Sequence, residues 1–160
     1  MRARGLPVTI GLVLAGLLAL LCAACGGKPN TGEDAQVTTR GKFEVTAQLV
    51  EIRGAFIDEP MYDYAFVMKY KVLKVHRGDI KGGTVYVGHY NPLKPRDKVA
   101  DARVPDIGGN LQKFTVGGVH RMALEVPIDD NYMGGIVNRY FGEDTGPIYW
   151  AVWTNRASKP

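Results

Sequence analysis

Cysteine and serine are scarce in this chain, and both shortages limit the chemistry it can perform. The two cysteines, Cys22 and Cys25, lie within the first 25 of 160 residues, so the rest of the chain has no disulfide and no zinc–thiolate site. Ser158 is the only serine, and no GxSxG motif occurs, which removes the usual hydrolase nucleophile. The sequence also lacks an HExxH motif and a phosphate-binding glycine loop ahead of a helix. We therefore expect a protein that is not an enzyme and needs no cofactor and no metal ion.

The first 25 residues have the pattern of an export signal. Arg2 and Arg4 precede an uncharged apolar run over residues 6–21, which is typical of a secretory signal and short for a membrane-spanning helix of about 20 residues. Two alanines then precede Cys25. This arrangement resembles the bacterial lipobox, in which a cysteine after small residues is lipid-modified and becomes the mature N-terminus. The resemblance implies a signal peptide over residues 1–24 and lipidation at Cys25; an ordinary cleaved signal and an uncleaved anchor are the alternatives.

The same resemblance implies a location in the cell envelope, with the membrane contacted through the N-terminal lipid. Gly26, rather than aspartate, follows Cys25, which implies the periplasmic face of an outer membrane or the cell surface. Without Arg2 and Arg4, the 20 basic residues fall to 18 against 16 acidic ones. So small an excess of positive charge does not indicate a nucleic-acid partner.

The remaining sequence predicts one β domain behind a short linker. Residues 25–41 are polar and glycine-bearing, the composition of a flexible tether, and residues 42–157 form a single domain. Within it, apolar residues alternate with polar ones, as in half-buried strands; Glu44, for example, is expected on the solvent face. A slip in the alternation near Lys71 predicts a β-bulge. The predicted strands cover residues 43–49, 64–76, 84–90, 119–126 and 149–155, with a short strand at 114–116 and a short helix at 136–141.

These elements predict an all-β fold with minor α content, a small five- to six-stranded antiparallel barrel or sandwich. Three segments, YKVLKVHRG at 70–78, GTVYV at 83–87 and FTVG at 114–117 before MAL at 122–124, resemble netrin-like and TIMP-like modules. The resemblance implies an OB-related five-stranded barrel. The chain lacks the cysteines of the animal members, so their protease inhibition is not carried over, since a fold does not establish a function.

Two of the three histidines are expected to face the apolar interior. His89 has the parity of Val85 and Val87 in its strand, and His120 has that of Met122 in the next. If these two strands are antiparallel partners, the imidazoles lie close together and His76 lies at the far end. The favoured interpretation is a structural pair that caps one end of the barrel. The alternative is a metal-binding site or metal-dependent enzyme centred on His89 and His120.

The segment YNPLKPRDK at residues 90–98 alternates cations with prolines. Cations held in a restrained loop lose less entropy when they bind an anion, and the planar guanidinium of Arg96 suits a carboxylate. A solvated loop is the alternative. The predicted ligand-binding residues, gathered from this loop and the histidine pair, are His89, Tyr90, Asn91, Lys94, Arg96, His120 and Arg121.

The chain as a whole is similar to small lipoproteins of bacterial envelopes, including those that accompany exopolysaccharide export or acetylation. The resemblance implies a non-enzymatic, lipid-anchored accessory or binding protein of an envelope assembly. Its partner would be an envelope protein or an anionic polysaccharide.

Overall fold

The structure, a computed structural model, describes residues 28–160. The predicted signal peptide over residues 1–24 and the predicted lipidation of Cys25 lie outside the described residues. No helix among residues 28–160 has the length and apolar character needed to cross a bilayer.

Five strands close into a barrel, which confirms the predicted small all-β fold. Around the barrel the order is β1, β4, β6, β3 and β2, and β2 pairs again with β1; β5 adds to the outer edge of β2. A closed five-stranded arrangement of this kind is an OB-type barrel and leaves few exposed sheet edges. The strands are β1 Phe43–Glu51, β2 Tyr64–Arg77, β3 Thr84–Tyr90, β4 Val119–Glu125, β5 Gly135–Val137 and β6 Tyr149–Ala157.

Two pairings are parallel, although an antiparallel sheet was predicted. β3 pairs with β6, and β2 with β5, in the parallel sense, while the other pairs are antiparallel. Because β6 inserts between β3 and β4, these two strands are not neighbours. Alternation within a strand specifies which face is buried, but it does not specify which strand lies alongside.

The bulge predicted near Lys71 is present. Ala47 pairs with Val72 and Thr46 with Lys74, so Leu73 is an extra residue in β2. The bulge separates two parts of the strand, since residues 64–68 are buried on both faces and the part after Val72 is partly exposed. The long connections between the other strands cover the outer face of the first part.

The barrel interior contains the alternating apolar residues of all five strands. Its fully buried members include Val45, Leu49, Phe66, Met68, Val87, Met122 and Leu124. A second buried cluster lies outside the barrel, where the loops on either side of β4 pack Tyr90, Tyr132 and Trp150 together. Tyr132 stacks on Trp150 with ring centroids 4.9 Å apart.

Two predicted elements are wrong. Residues 136–141 are not a helix, because Gly135–Val137 pairs with Tyr64–Phe66 as strand β5. Residues 114–116 are not a strand; Phe114 instead turns into the barrel and packs against His89, with ring centroids 4.5 Å apart.

The predicted tether is also wrong for the part that the structure describes. A short helix, α1 Ala35–Thr39, lies on the barrel with Val37 completely buried. The Asp34 carboxylate caps this helix through the amides of Gln36 and Val37, and it also accepts from the indole of Trp153 at 3.3 Å. One of the strongest local helix signals, an N-cap aspartate, was therefore present in a segment whose composition indicated disorder.

Candidate functional site

A buried cluster of two histidines and a tyrosine lies inside one end of the barrel. The hydroxyl of Tyr70 is 3.0 Å from Nε2 of His89 and 3.2 Å from Nδ1 of His120. All three side chains are essentially inaccessible to solvent. The predicted proximity and inward orientation of the two histidines are therefore correct.

The strand pairing from which this proximity was predicted is wrong. His89 lies near the end of β3 and His120 near the start of β4, but β6 separates the two strands. They meet because the barrel is narrow and Tyr70 of β2 reaches across the interior to both rings. The third histidine, His76, lies away from them and shares a hydrogen bond of 2.8 Å with the Thr46 hydroxyl.

Burial keeps this cluster neutral. It lowers the pKa of His120 to about 4, and burial, the nearby charge of Arg96 and His120 together lower the pKa of His89 well below its usual value. Burial also raises the pKa of the Tyr70 hydroxyl well above its usual range. At neutral pH the three groups are therefore two uncharged imidazoles and a protonated phenol.

Arg96 is buried, which corrects its predicted role as an exposed carboxylate ligand. Its guanidinium donates to the carbonyl oxygens of Tyr90, Asn91 and Lys94 at 2.6–2.7 Å, and it lies over the Phe114 ring at 5.2 Å. Burial lowers its pKa to about 10, so it remains charged at neutral pH. Arg96 holds the loop of residues 90–98 against the barrel and does not present a cation to solvent.

The other predicted ligand residues of this loop also have structural partners. The Tyr90 hydroxyl donates to Asp101 at 2.6 Å. Asn91 has a φ of 39° and donates to Asp63 at 2.6 Å, and the ammonium of Lys94 lies 3.7 Å from the same carboxylate. Asn91 and Lys94 thus hold the loop to Asp63, and Tyr90 holds it to Asp101.

Arg121 lies on the outer face of β4, whereas its neighbour His120 faces the interior. Its guanidinium contacts Glu44 at 2.6 Å and Glu33 at 3.0 Å, and Glu44 also pairs with Arg77 at 2.9 Å. Glu44 was predicted to be solvent-exposed, but the N-terminal segment covers it and only 3% of its surface is accessible. Arg121 and Glu44 thus join the N-terminal segment to the barrel.

Two grooves lie at opposite ends of β6. The first, of about 700 Å³, lies at the C-terminal end of the strand, where His120 and Arg156 form part of its wall. The second, of about 620 Å³, lies near the start of β6, between the loops before β2 and before β5. It is lined by Met61, Tyr62 and Met133, with Tyr132 beneath them.

Comparison with protein-family models, with curated proteins and with solved structures finds no match. Among residues 28–160, no group of three or more histidine, cysteine, aspartate or glutamate side chains is arranged to hold a metal ion. The geometry of the two grooves therefore provides the argument for function.

Several residues of these sites were missed in the sequence. Tyr70 has the parity of Phe66 and Met68 in β2 and could have been placed in the interior on that signal. Lys113 and Arg156, which line the first groove, come from segments 43 residues apart, and no local pattern connects them. Met61 and Met133 are separated in the same way and meet only because their loops fold to one end of the barrel.

Proposed function

We propose that this protein is a non-enzymatic, lipid-anchored accessory module of the cell envelope that binds another envelope protein. The observation that carries the proposal is the second groove, which we call the methionine groove, defined by Met61, Tyr62 and Met133. Met61 and Met133 are 97% and 94% exposed, and Tyr62 is 46% exposed.

The composition of the methionine groove favours a protein partner. Methionine, tyrosine and arginine are enriched at protein interfaces, which have an apolar centre and a polar rim. Here Arg103 forms an ion pair with Asp63 at the edge of the groove. Flexible thioethers adapt to the shape of an apolar partner surface, whereas an anionic polysaccharide would be expected to meet a groove rich in cations.

The position of the methionine groove fits an anchored protein. The backbone of Asn30 accepts a hydrogen bond from the amide of Ser158, just beyond the C-terminal end of β6, so Asn30, five residues after Cys25 in the sequence, lies at that end. Tyr132 of the methionine groove stacks on Trp150, near the start of β6. Trp150 and Ser158 are eight residues apart in sequence, so at about 3.3 Å per residue they are about 26 Å apart. A lipid on Cys25 would hold one end at the membrane and leave the methionine groove facing a partner in the aqueous space.

The anchoring half of the proposal is tested by fatty-acid labelling. Lipidation requires the cysteine sulfur, so Cys25→Ser should abolish labelling and impair signal removal, while Cys22→Ser should be labelled like the wild type. Equal labelling of the wild type and Cys25→Ser would show that the protein is not a lipoprotein.

The binding half is tested by photo-crosslinking in the host cell. A benzoylphenylalanine at position 133 should give an adduct with a specific protein, whereas the same group at position 141 should not, because Phe141 is 93% exposed but lies outside the methionine groove. The purified partner should then bind Met61→Ser/Met133→Ser at least tenfold more weakly than the wild type and bind Phe141→Ser normally.

Two results would contradict the binding half. One is an unchanged affinity of the double variant for the crosslinked protein. The other is loss of binding to an anionic polysaccharide, and not to a protein, on substitution of the two methionines. A histidine-based metal enzyme, the alternative function, would require metal bound to the purified full chain and lost on His89→Ala.

A further inference from the structure

The groove at the C-terminal end of β6, which we call the His120 groove, has a different chemistry from the methionine groove. Polar and basic side chains line it, among them Asn110, Gln112, Lys113, Thr115, His120 and Arg156, and no aspartate or glutamate of residues 28–160 belongs to its lining. The carboxylate of Asp97 touches the amide of Gln112 from outside, at 3.4 Å. The electrostatic character of the groove is therefore cationic.

Its two cations are available to a ligand. Lys113 and Arg156 are exposed, and neither forms an ion pair within the part of the chain that the structure describes. Arg156 is the direct cross-strand partner of His120. Directly opposed residues of antiparallel strands project to the same face, so the guanidinium extends from the barrel mouth on the side of the imidazole.

The hydrogen bonds of the interior determine which ring nitrogen of His120 carries the proton. The Tyr70 hydroxyl has one proton, so it donates to one histidine and accepts from the other. Nδ1 of His89 is buried without a hydrogen-bond partner among the described residues. If Tyr70 donates to Nε2 of His89, the single ring proton of His89 is on Nδ1, which is then a buried donor without an acceptor. If Tyr70 accepts from Nε2, Nδ1 carries no proton and is a buried acceptor without a donor.

The second arrangement leaves the smaller penalty, because buried N–H groups without an acceptor are rarer than unpaired acceptors. Tyr70 then donates to Nδ1 of His120, and Nε2 of His120 carries the proton. The low pKa of His120 keeps the ring a neutral donor at physiological pH.

Nε2 of His120 lies directly below Gly118, another residue of the groove wall. A Cβ atom placed on Gly118 would be 3.1 Å from this nitrogen, so a larger residue would cover it. Because Gly118 has no side chain, the Nε2 edge of the otherwise buried His120 ring reaches the groove wall, and the protein interior holds the rest of the ring.

We propose that the His120 groove binds an oxyanion, held by the charges of Lys113 and Arg156 and by a hydrogen bond from Nε2 of His120. The oxyanion is a phosphate or carboxylate group, and this site is independent of the partner bound at the methionine groove. Asn30, which leads toward the predicted lipid anchor, is also part of the groove wall. The oxyanion can therefore belong to a soluble molecule or to the headgroup of an anionic lipid.

The test uses the full chain in phosphatidylcholine vesicles, with nitrogen-15 in the histidine rings. His120→Gln identifies the His120 signals by their loss. Sodium phosphate should shift the Nε2 signal of His120 saturably and leave the signals of His76 unchanged. Lys113→Ala/Arg156→Ala should raise the apparent Kd for phosphate at least tenfold. The matched control, Lys71→Ala/Lys81→Ala, removes the same charge from exposed side chains outside the groove and should change the Kd less than twofold.

A second arm identifies the source of the oxyanion. If vesicles containing phosphatidylglycerol shift the same His120 signal without added phosphate, the ligand is a lipid headgroup. If only free phosphate shifts it, the ligand is soluble. An unchanged His120 signal in both arms would overturn the proposal, and so would equal weakening by the two double variants, since binding would then reflect net charge alone.

Discussion

At the C-terminal end of β6 the barrel buries polar groups, including the His89–Tyr70–His120 cluster, whereas near the start of the same strand it exposes two methionines. Both ends depart from the usual rule that apolar groups lie inside and polar groups outside. At the buried end most of the polar groups have hydrogen-bond partners or opposite charges, with Nδ1 of His89 as an exception. At the exposed end nothing among the described residues covers Met61 or Met133. The comparison indicates that the buried polar groups contribute to the stability of the fold, whereas the exposed methionines do not.

The largest loss of stability is expected when the charge of the buried Glu44 is reversed. Glu44→Lys would place a third cation beside Arg77 and Arg121 in a site closed by the N-terminal segment, and we expect a loss of about 3–5 kcal/mol in unfolding free energy. Glu51→Lys is the control on the same strand, because Glu51 and its partner Arg53 are each about a third exposed, and it should lose about 1 kcal/mol or less. Urea denaturation measures both; equal losses would show that the N-terminal cover contributes nothing.

Removal of one hydroxyl tests the buried cluster itself. Tyr70→Phe leaves Nε2 of His89 and Nδ1 of His120 without their shared partner, and each unpaired buried group costs about 1–3 kcal/mol. We expect a total loss of about 2–4 kcal/mol in the same assay. Tyr140→Phe removes a hydroxyl whose bond to the Glu51 carbonyl is 3.4 Å long and should lose less than about 1 kcal/mol. A neutral Tyr70→Phe would mean that the hydrogen bonds to the two rings do not stabilise the fold.

Acidification should lower the unfolding free energy, because the two histidines of the same cluster bind protons less readily in the folded protein than in the unfolded chain. The pKa of His120 is about 4 in the folded protein and about 6.5 in an unfolded chain. Between these values the unfolded chain binds more protons, so stability falls as the pH is lowered from 6.5 to 4, by up to about 3 kcal/mol for this residue. His89 contributes in the same direction, since its pKa is also lowered. His120→Gln should flatten the pH profile measured by denaturation from pH 7 to pH 4; an unchanged slope would contradict the assignment.

The smallest effect is expected at the methionine groove. Met61→Ser/Met133→Ser removes side chains that contribute little to the core, so the unfolding free energy should change by no more than about 0.5 kcal/mol. A larger loss of unfolding free energy would show that the two methionines stabilise the fold, which would contradict the proposal that they are exposed in order to bind a partner. Thermal denaturation of the variant beside Phe141→Ser is sufficient to distinguish the two cases.

The local features of this protein could be predicted from its amino-acid sequence. Alternating parity located the five barrel strands to within about two residues at most ends, placed His89 and His120 in the interior and identified the bulge in β2, because the side-chain direction of a strand is a local property of the backbone. The tether predicted from the composition of residues 25–41 is wrong for residues 28–41, because the order of that segment depends on contacts with residues outside it. The helix there is only five residues long, and it is stabilised by burial of Val37 and by contacts of Asp34 with β6.

Which of these features come into contact depends on how the whole chain folds. The insertion of β6 between β3 and β4 joins segments far apart in the chain. It brings Arg156 beside His120 and Trp150 beneath Tyr132, and no local pattern encodes such pairings. The burial of Arg96 and Glu44 also depends on the whole fold. A charged residue is predicted to be solvent-exposed unless the segment that covers it is known. The physical reason is that strand direction depends on neighbours in the chain, whereas the electrostatic environment of a side chain depends on neighbours in space.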